Sequence, residues 1–288
     1  MAGRSGIGFD GRASRKNVGK PCAKCSRLPV SAIQFPILKR TGFAARGRRP
    51  RQRRIERRTK VRRLHQDISL TKAHESRNFF LEGPAGRLEA ILWKPQGVAR
   101  PPMAAVLCHP HPLFGGTMHN KVIYQTAKSL DALGLAVLRF NFRGAGTSAG
   151  VHDRGRGEQG DVRAALDFQA NEFPGVPLLL AGFSFGCWVG LRVGCEDKRV
   201  TELIGLGTPV NNCDFTYLET CAKPKLFVHG ENDEHGDFRK VESLVASLPG
   251  ENRFVGVPGA DHFFAGKLDQ LNKAITEWLT TRHPDFNG

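Results

Sequence analysis

No apolar run in this 288-residue chain approaches the length of a membrane-spanning helix. Roughly 18 residues would be needed, so nothing is expected to cross a bilayer. The first residues carry Arg4, Arg12, Arg15, Lys16 and Lys20 without the apolar stretch of a secretory signal, and no such signal is expected. Seven cysteines in a chain of this size are too sparse, and odd in number, for a disulfide framework. Reduced thiols and a cytoplasmic location are the expectation. Acidic residues are nearly missing from the first quarter. Residues 1–78 hold four of them (Asp10, Glu56, Asp67, Glu75) against 22 Lys or Arg, whereas residues 79–288 hold 23 acids against 21 bases. The formal charge of +16 is therefore +18 on the first segment and −2 on the remainder. A pI near 10 suggests a polyanionic partner for the whole protein; the distribution confines that idea to residues 1–78.

Two parts are expected: a basic extension at 1–77 and a globular domain at 78–288. Between Arg46 and Arg63 only Ile55 and Val61 are large and apolar. Such a segment cannot bury enough surface to offset chain entropy, and disorder follows. It could bind nucleic-acid phosphates, or serve as an Arg-rich organellar presequence. Cys22 and Cys25 form half a zinc site without a second pair nearby. The reading preferred here is an extension unrelated to the domain's work, for which a coding start assigned too far upstream is one origin. Because no Met lies between Met1 and Met103, a later start would need a non-ATG codon.

From Asn78 onward, strand and helix patterns alternate. Strands are expected at 78–82, 88–93, 104–108, 135–140, 178–181, 203–206, 225–229 and 253–257, the short apolar runs reading as buried strands. Asn120 can cap a helix carrying Ile123, Ala127 and Leu130 and ended by Gly134. Val162, Ala165, Leu166 and Gln169 mark a second helix over 158–170. Phe238, Val241, Leu244, Val245 and Leu248 mark another, and Leu268, Leu271, Ile275 and Trp278 the last. This alternation predicts an α/β fold with a mostly parallel sheet covered on both faces. Ligands of such sheets sit beyond the carboxyl ends of the strands.

At one of these ends stands Gly182-Phe183-Ser184-Phe185-Gly186, a G-x-S-x-G in strand–turn–helix context. The sharp turn projects the serine hydroxyl, and the glycines let strand and helix pass closely. The Phe185 amide points to where an oxyanion would form. A hydroxyl needs a base, and the chain order serine–acid–histidine predicts both partners after later strands. Asp233 follows the strand at 225–229, with Glu231, Glu234 and Asp237 as rival acids; His262 follows the strand at 253–257. Asp233 would orient His262, and His262 would take the Ser184 proton.

For the second oxyanion amide, the strand at 104–108 leads into His109-Pro110-His111-Pro112-Leu113. Prolines have no N–H, so His111 is the nearest donor and Leu113 the fallback. A metal site at His109, His111 and His119 lacks a carboxylate or Cys partner nearby, and a loop role is preferred. The Gly-rich 141–148 segment lacks both the G-K-[ST] and the full G-x-G-x-x-G, so no cofactor is expected. Arg143 there would pack or pair structurally.

The segments HPHPLFGGTMHNK (109–121), RFNFRGAGTSAG (139–150), GFSFG (182–186), HGENDE (229–234) and PGADHFF (258–264) together resemble the α/β-hydrolase superfamily. They are similar to small bacterial hydrolases related to dienelactone hydrolase. The resemblance covers residues 78–288. It implies an eight-stranded hydrolase sheet, a Ser184–Asp233–His262 triad, and an oxyanion hole from the amides of His111 and Phe185. Dienelactone hydrolase proper has Cys where Ser184 stands. The eighteen residues 207–224 leave room for a short helix around 214–220 but no lid. Phe114, Phe183, Phe185, Phe215, Phe263 and Phe264 then suggest an open, partly apolar cleft for small to medium acyl groups.

The expected activity is hydrolysis of a small-molecule carboxylic (or thio) ester through an acyl-enzyme, with no metal or organic cofactor. Two alternatives stand beside it. One is a hydrolase-fold binding protein whose Arg-rich tail engages nucleic acid. The other is a serine peptidase or other acyl hydrolase, since one triad serves all of these.

Overall fold

The computed structural model describes residues 74–287. Expectations that fall on residues 1–73, namely the disordered extension, its nucleic-acid binding and the Cys22–Cys25 pair, lie outside the described residues.

Eight strands build one sheet: β1 (His74–Gly83), β2 (Gly86–Pro95), β3 (Ala104–Cys108), β4 (Ala136–Phe140), β5 (Leu178–Phe183), β6 (Val200–Leu206), β7 (Lys225–Gly230) and β8 (Asn252–Val257). Their spatial order is β1-β2-β4-β3-β5-β6-β7-β8. β2 runs antiparallel to β1 and β4, and every pair from β4 through β8 is parallel. The five helices are α1 (Lys121–Ala132), α2 (Arg156–Glu172), α3 (Phe185–Glu196), α4 (Phe238–Ser247) and α5 (Leu268–Arg282).

Successive strand residues point to opposite faces, and two cores result. Val106, Leu138, Leu180 and Phe227 meet Val162 and Leu166 of α2, Val189 and Val193 of α3, and Val241 and Val245 of α4. Ala105, Leu107, Leu179 and Ala181 meet Val122, Ile123 and Leu130 of α1 and Leu271, Ile275 and Trp278 of α5. β3, β4 and β5 are buried throughout, which explains their unbroken apolar runs.

The sequence placed every one of these elements, and the ends differ for identifiable reasons. β1 starts at His74 instead of Asn78, because backbone pairing with β2 continues to His74 opposite Pro95. Its side chains there are exposed and polar, so no apolar pattern marks them. α2 starts at Arg156 instead of Glu158. Glu158 reaches back to accept from the amides of Gly155 and Asp153, both at 2.8 Å, and so caps the turn before the periodic residues. Asn120 caps α1 as expected, its side chain accepting from the Val122 amide at 2.9 Å. α1 ends at Ala132, and Gly134 follows with a left-handed φ of +85°.

The 207–224 connection holds one 3₁₀ turn, Thr216–Thr220, in place of the expected helix. Asp214 accepts from Thr216 at 2.9 Å and tightens the turn. Trp188 of α3 donates to the Asp214 carbonyl and accepts, through its own carbonyl, from the Tyr217 hydroxyl. The segment is thus strapped to α3, and it inserts no lid over the sheet.

Arg143, in the loop after β4, forms the structural pair read from the sequence. Its guanidinium donates to both oxygens of Asp161 on α2, at 2.7 and 3.0 Å, and to the Gly157 carbonyl at 2.6 Å. Burial raises the Asp161 carboxyl against the pull of the guanidinium. Removing one partner would leave the other buried and unpaired. Arg143→Met is expected to cost about 3 kcal/mol in urea unfolding, and a second change, Asp161→Leu, to restore part of that loss.

Candidate active site

The turn between β5 and α3 carries the strongest local signal. From Leu178 to Cys187 every residue is buried except Ser184, which is half-exposed. Ser184 has φ 54° and ψ −117°, a region that costs a non-glycine residue about 1–3 kcal/mol. The close approach around it explains the flanking glycines. A Cβ on Gly182 would come within 2.2 Å of the Gly186 carbonyl oxygen, and one on Gly186 within 2.1 Å of the Cys108 carbonyl oxygen. The Ser184 amide donates to Leu206 at 3.0 Å, pinning the turn to the end of β6. The Ser184 hydroxyl makes no cap on α3.

Asp233 and His262 come together from loops 29 positions apart. His262 Nδ1 lies 2.8 Å from Asp233 Oδ2, with both side chains buried. Oδ1 of the same carboxylate accepts from the amides of His235 (2.8 Å) and Gly236 (3.1 Å). Burial works to raise the Asp233 carboxyl. The hydrogen bond and charge of His262, with help from His229 and the His235 amide, outweigh it and hold the group below the usual carboxylate range. With Nδ1 committed to Asp233, Nε2 is the nitrogen left for a proton transfer. The His262 ring packs on Phe183 (centroids 4.9 Å apart), next to Ser184. Phe264, buried with a φ of +53°, anchors the histidine loop in the core. Among the described residues, no hydrogen bond joins Ser184 Oγ to His262. Such bonds are often long in the unliganded state and tighten around substrate.

The three rival acids have other partners or positions. Glu231 accepts from the Gly259 amide at 2.9 Å and ties the acid loop to the histidine loop. Asp237 caps α4 through the Lys240 amide at 2.9 Å. Glu234 is exposed beside His235.

The proposed amide donors lie on two segments that touch. The rings of His111 and Phe185 are 4.9 Å apart. Leu113, the fallback donor, is spent: its amide donates to His111 Nδ1 at 3.3 Å. Burial, and then the neighbouring His152, push His111 down to about 4, so its imidazole is neutral at pH 7.

His109 does not face this cleft. It is buried, its Nδ1 donates to Pro110 O at 2.6 Å, and its Nε2 accepts from the Phe142 amide at 3.0 Å. Both nitrogens are taken by backbone, so His109 has no free lone pair for a metal. Among the described residues no cluster of His, Cys, Asp or Glu has metal-site geometry.

The six phenylalanines divide. Phe114 and Phe263 are exposed beside His111 and His262. Phe183, Phe215 and Phe264 are buried in the cores, and Phe185 packs between His111 and Phe142. Four of the six rings, Phe185 included, thus belong to the cores.

Two contributions were not read from the sequence. His229, at the end of β7, accepts from the Thr208 amide at 3.1 Å and donates to Gly236 O at 2.8 Å. It clamps the loop that presents Asp233. His152 packs against His111 and Phe185. His229 opens the HGENDE segment (229–234), but nothing in that segment assigned it a bracing role, and His152 lies outside every quoted segment.

Comparison with known proteins agrees with this architecture. A family model described as an alpha/beta hydrolase domain matches residues 104–278. An uncharacterized protein of Rickettsia prowazekii is 36% identical over 217 residues, covering 72% of this chain and 90% of its own. A lidless a/b serine hydrolase from Xanthomonas campestris is 38% identical, with a TM-score of 0.66, covering 70% of this chain and 93% of its own. An alpha-beta serine hydrolase homologue from Coxiella burnetii is 40% identical, with a TM-score of 0.67, covering 70% of this chain and 97% of its own.

Glycine adopts the Ser184 conformation without the Cβ penalty, so Ser184→Gly should raise stability by about 1 kcal/mol in urea unfolding. Asp233 makes a second expectation. Its folded-state pKa lies below the ordinary 3.8, so the unfolded chain takes up the proton first as pH falls. The resulting stability is complete above the ordinary value and is lost on descending through the lowered one. Asp233→Asn should flatten the pH dependence of unfolding in that acid window.

Proposed function

The chain belongs to the alpha/beta hydrolase family, and we propose that it is a serine hydrolase that cleaves carboxylic or thio esters of small to medium acyl groups. Ser184 Oγ attacks the acyl carbonyl while His262 Nε2 takes its proton. Asp233 holds His262 by Nδ1 and stabilises the imidazolium that forms. The oxyanion receives hydrogen bonds from the amides of His111 and Phe185. His262 returns the proton to the departing alcohol or thiol, leaving an acyl-enzyme at Ser184. Water, deprotonated by the same histidine, then releases the acid.

The observation that carries this reading is a half-exposed serine on a strained turn whose preceding residue, Phe183, packs on the histidine of a buried His262–Asp233 pair. Strain of that kind persists where the surrounding structure enforces it, and it clusters at reactive sites. Leu113, Phe114 and Phe263 put exposed apolar surface on the segments of His111 and His262, which suits an acyl chain better than a charged group. No described helix is long and apolar enough to cross a membrane. Cys108 and Cys187 are buried thiols outside any disulfide, which fits a reducing, cytoplasmic setting.

Ser184→Ala should lower turnover of a short p-nitrophenyl ester by roughly 10⁴-fold or more and abolish fluorophosphonate labelling, with the unfolding midpoint nearly unchanged. Full activity in that variant would defeat the assignment. A graded series of acyl lengths would define the acyl preference.

A further inference from the structure

His152 lies in the loop between β4 and α2, outside the serine, acid and histidine loops. Its imidazole is 4.6 Å from the ring of His111 and 5.4 Å from that of Phe185, and those two rings are themselves 4.9 Å apart. The three rings form a closed triangle. Two of its corners are the residues whose amides would bind the oxyanion.

The third corner is anchored from behind. His152 Nδ1 sits 2.8 Å from Glu158 Oε1, bent away from hydrogen-bond alignment. Glu158 is fully buried, and its two oxygens take the amides of Asp153 and Gly155. Burial works to raise the Glu158 carboxyl, but His152 and the amides of Asp153 and Glu158 itself hold it below its ordinary value. The carboxylate thus holds the turn at Asp153 and Gly155 and lies against the imidazole that the turn carries.

We propose that His152 is a positioning residue for the oxyanion hole, holding the His111 segment against the Phe185 segment. The inference rests on the serine-hydrolase reading above. The physical need is specific. The His111 amide comes from the loop after β3 and the Phe185 amide from the start of α3, so two independent segments must converge on one oxygen. Side-chain rings provide contact between them, and His152 buttresses both. Each aromatic contact contributes about 0.5–1.5 kcal/mol. A shift of about 1 Å in such a site can cost a hundredfold in rate.

The oxyanion forms only as the tetrahedral intermediate is approached, in acylation and deacylation alike. Loss of positioning therefore appears in kcat and leaves ground-state binding nearly intact. With a short p-nitrophenyl ester, His152→Ala should lower kcat about tenfold or more with KM within about twofold. His152→Phe keeps the ring and should retain kcat within about threefold of wild type. If His152→Ala fails to fold, His152→Leu, which fills the space without a ring, takes its place with the same expectation. A kcat within twofold of wild type in the ringless variant overturns the proposal. So does an equal fall in the ringless and Phe variants, or a loss carried by KM. Ser184→Ala, assayed in parallel, keeps the two readings apart. If it stays active, the serine-hydrolase reading fails. If it is inactive while the ringless variant is unimpaired, only the role of His152 fails.

Discussion

The crossing of β5 and α3 at Gly182 and Gly186 is the constraint on which the site depends. Carbonyl oxygens occupy the space where a Cβ on either residue would stand. That proximity forces the intervening serine into a left-handed φ and lifts it out of an otherwise buried decapeptide. The same contact sets Gly186 against the end of β3, so the loop that begins at His109 lies beside the start of α3. One close approach therefore exposes the hydroxyl and brings together the two segments proposed to bind the oxyanion.

The histidines around this point are told apart by their partners, not by their burial. His109 and His229 give both ring nitrogens to backbone groups and act as fixed struts, one joining the loops after β3 and β4, the other bracing the Asp233 loop. His262 gives one nitrogen to a carboxylate and keeps the other. Burial lowers His109 and His229, which keeps both neutral as hydrogen-bond groups. Asp233 is held ionised by the very histidine it orients, so the pair is mutually stabilising.

Much of the fold was legible because buried parallel strands write themselves as short apolar runs. β3, β5 and β7 are examples, and each ends at a segment that carries a proposed site residue. β1 was legible only in its second half, since an exposed edge strand is held by backbone pairing that no side-chain pattern records. α2 began earlier than its apolar period because its cap is a buried glutamate acting backwards. The sequence named Asp233 as the acid but left three rivals in the same loop. Glu231, Asp233, Glu234 and Asp237 share a loop composition, and only the fold shows that Asp233 alone among them bonds His262.

The sequence by itself determined the fold class, the strand–turn–helix at Ser184 and the order in which serine, acid and histidine follow. These are local properties: periodicity, glycine spacing and chain order. The tertiary structure decided which acid pairs with His262, which phenylalanines stand exposed beside His111 and His262, and that His152 touches both His111 and Phe185. Those facts depend on contacts between residues as many as 74 positions apart, as His111 and Phe185 are, brought together by a sheet order, β2-β4-β3-β5, that chain order does not encode. Side chains meet across strand ends only once that order exists, and the energy that selects it is spread over two cores rather than written in any motif.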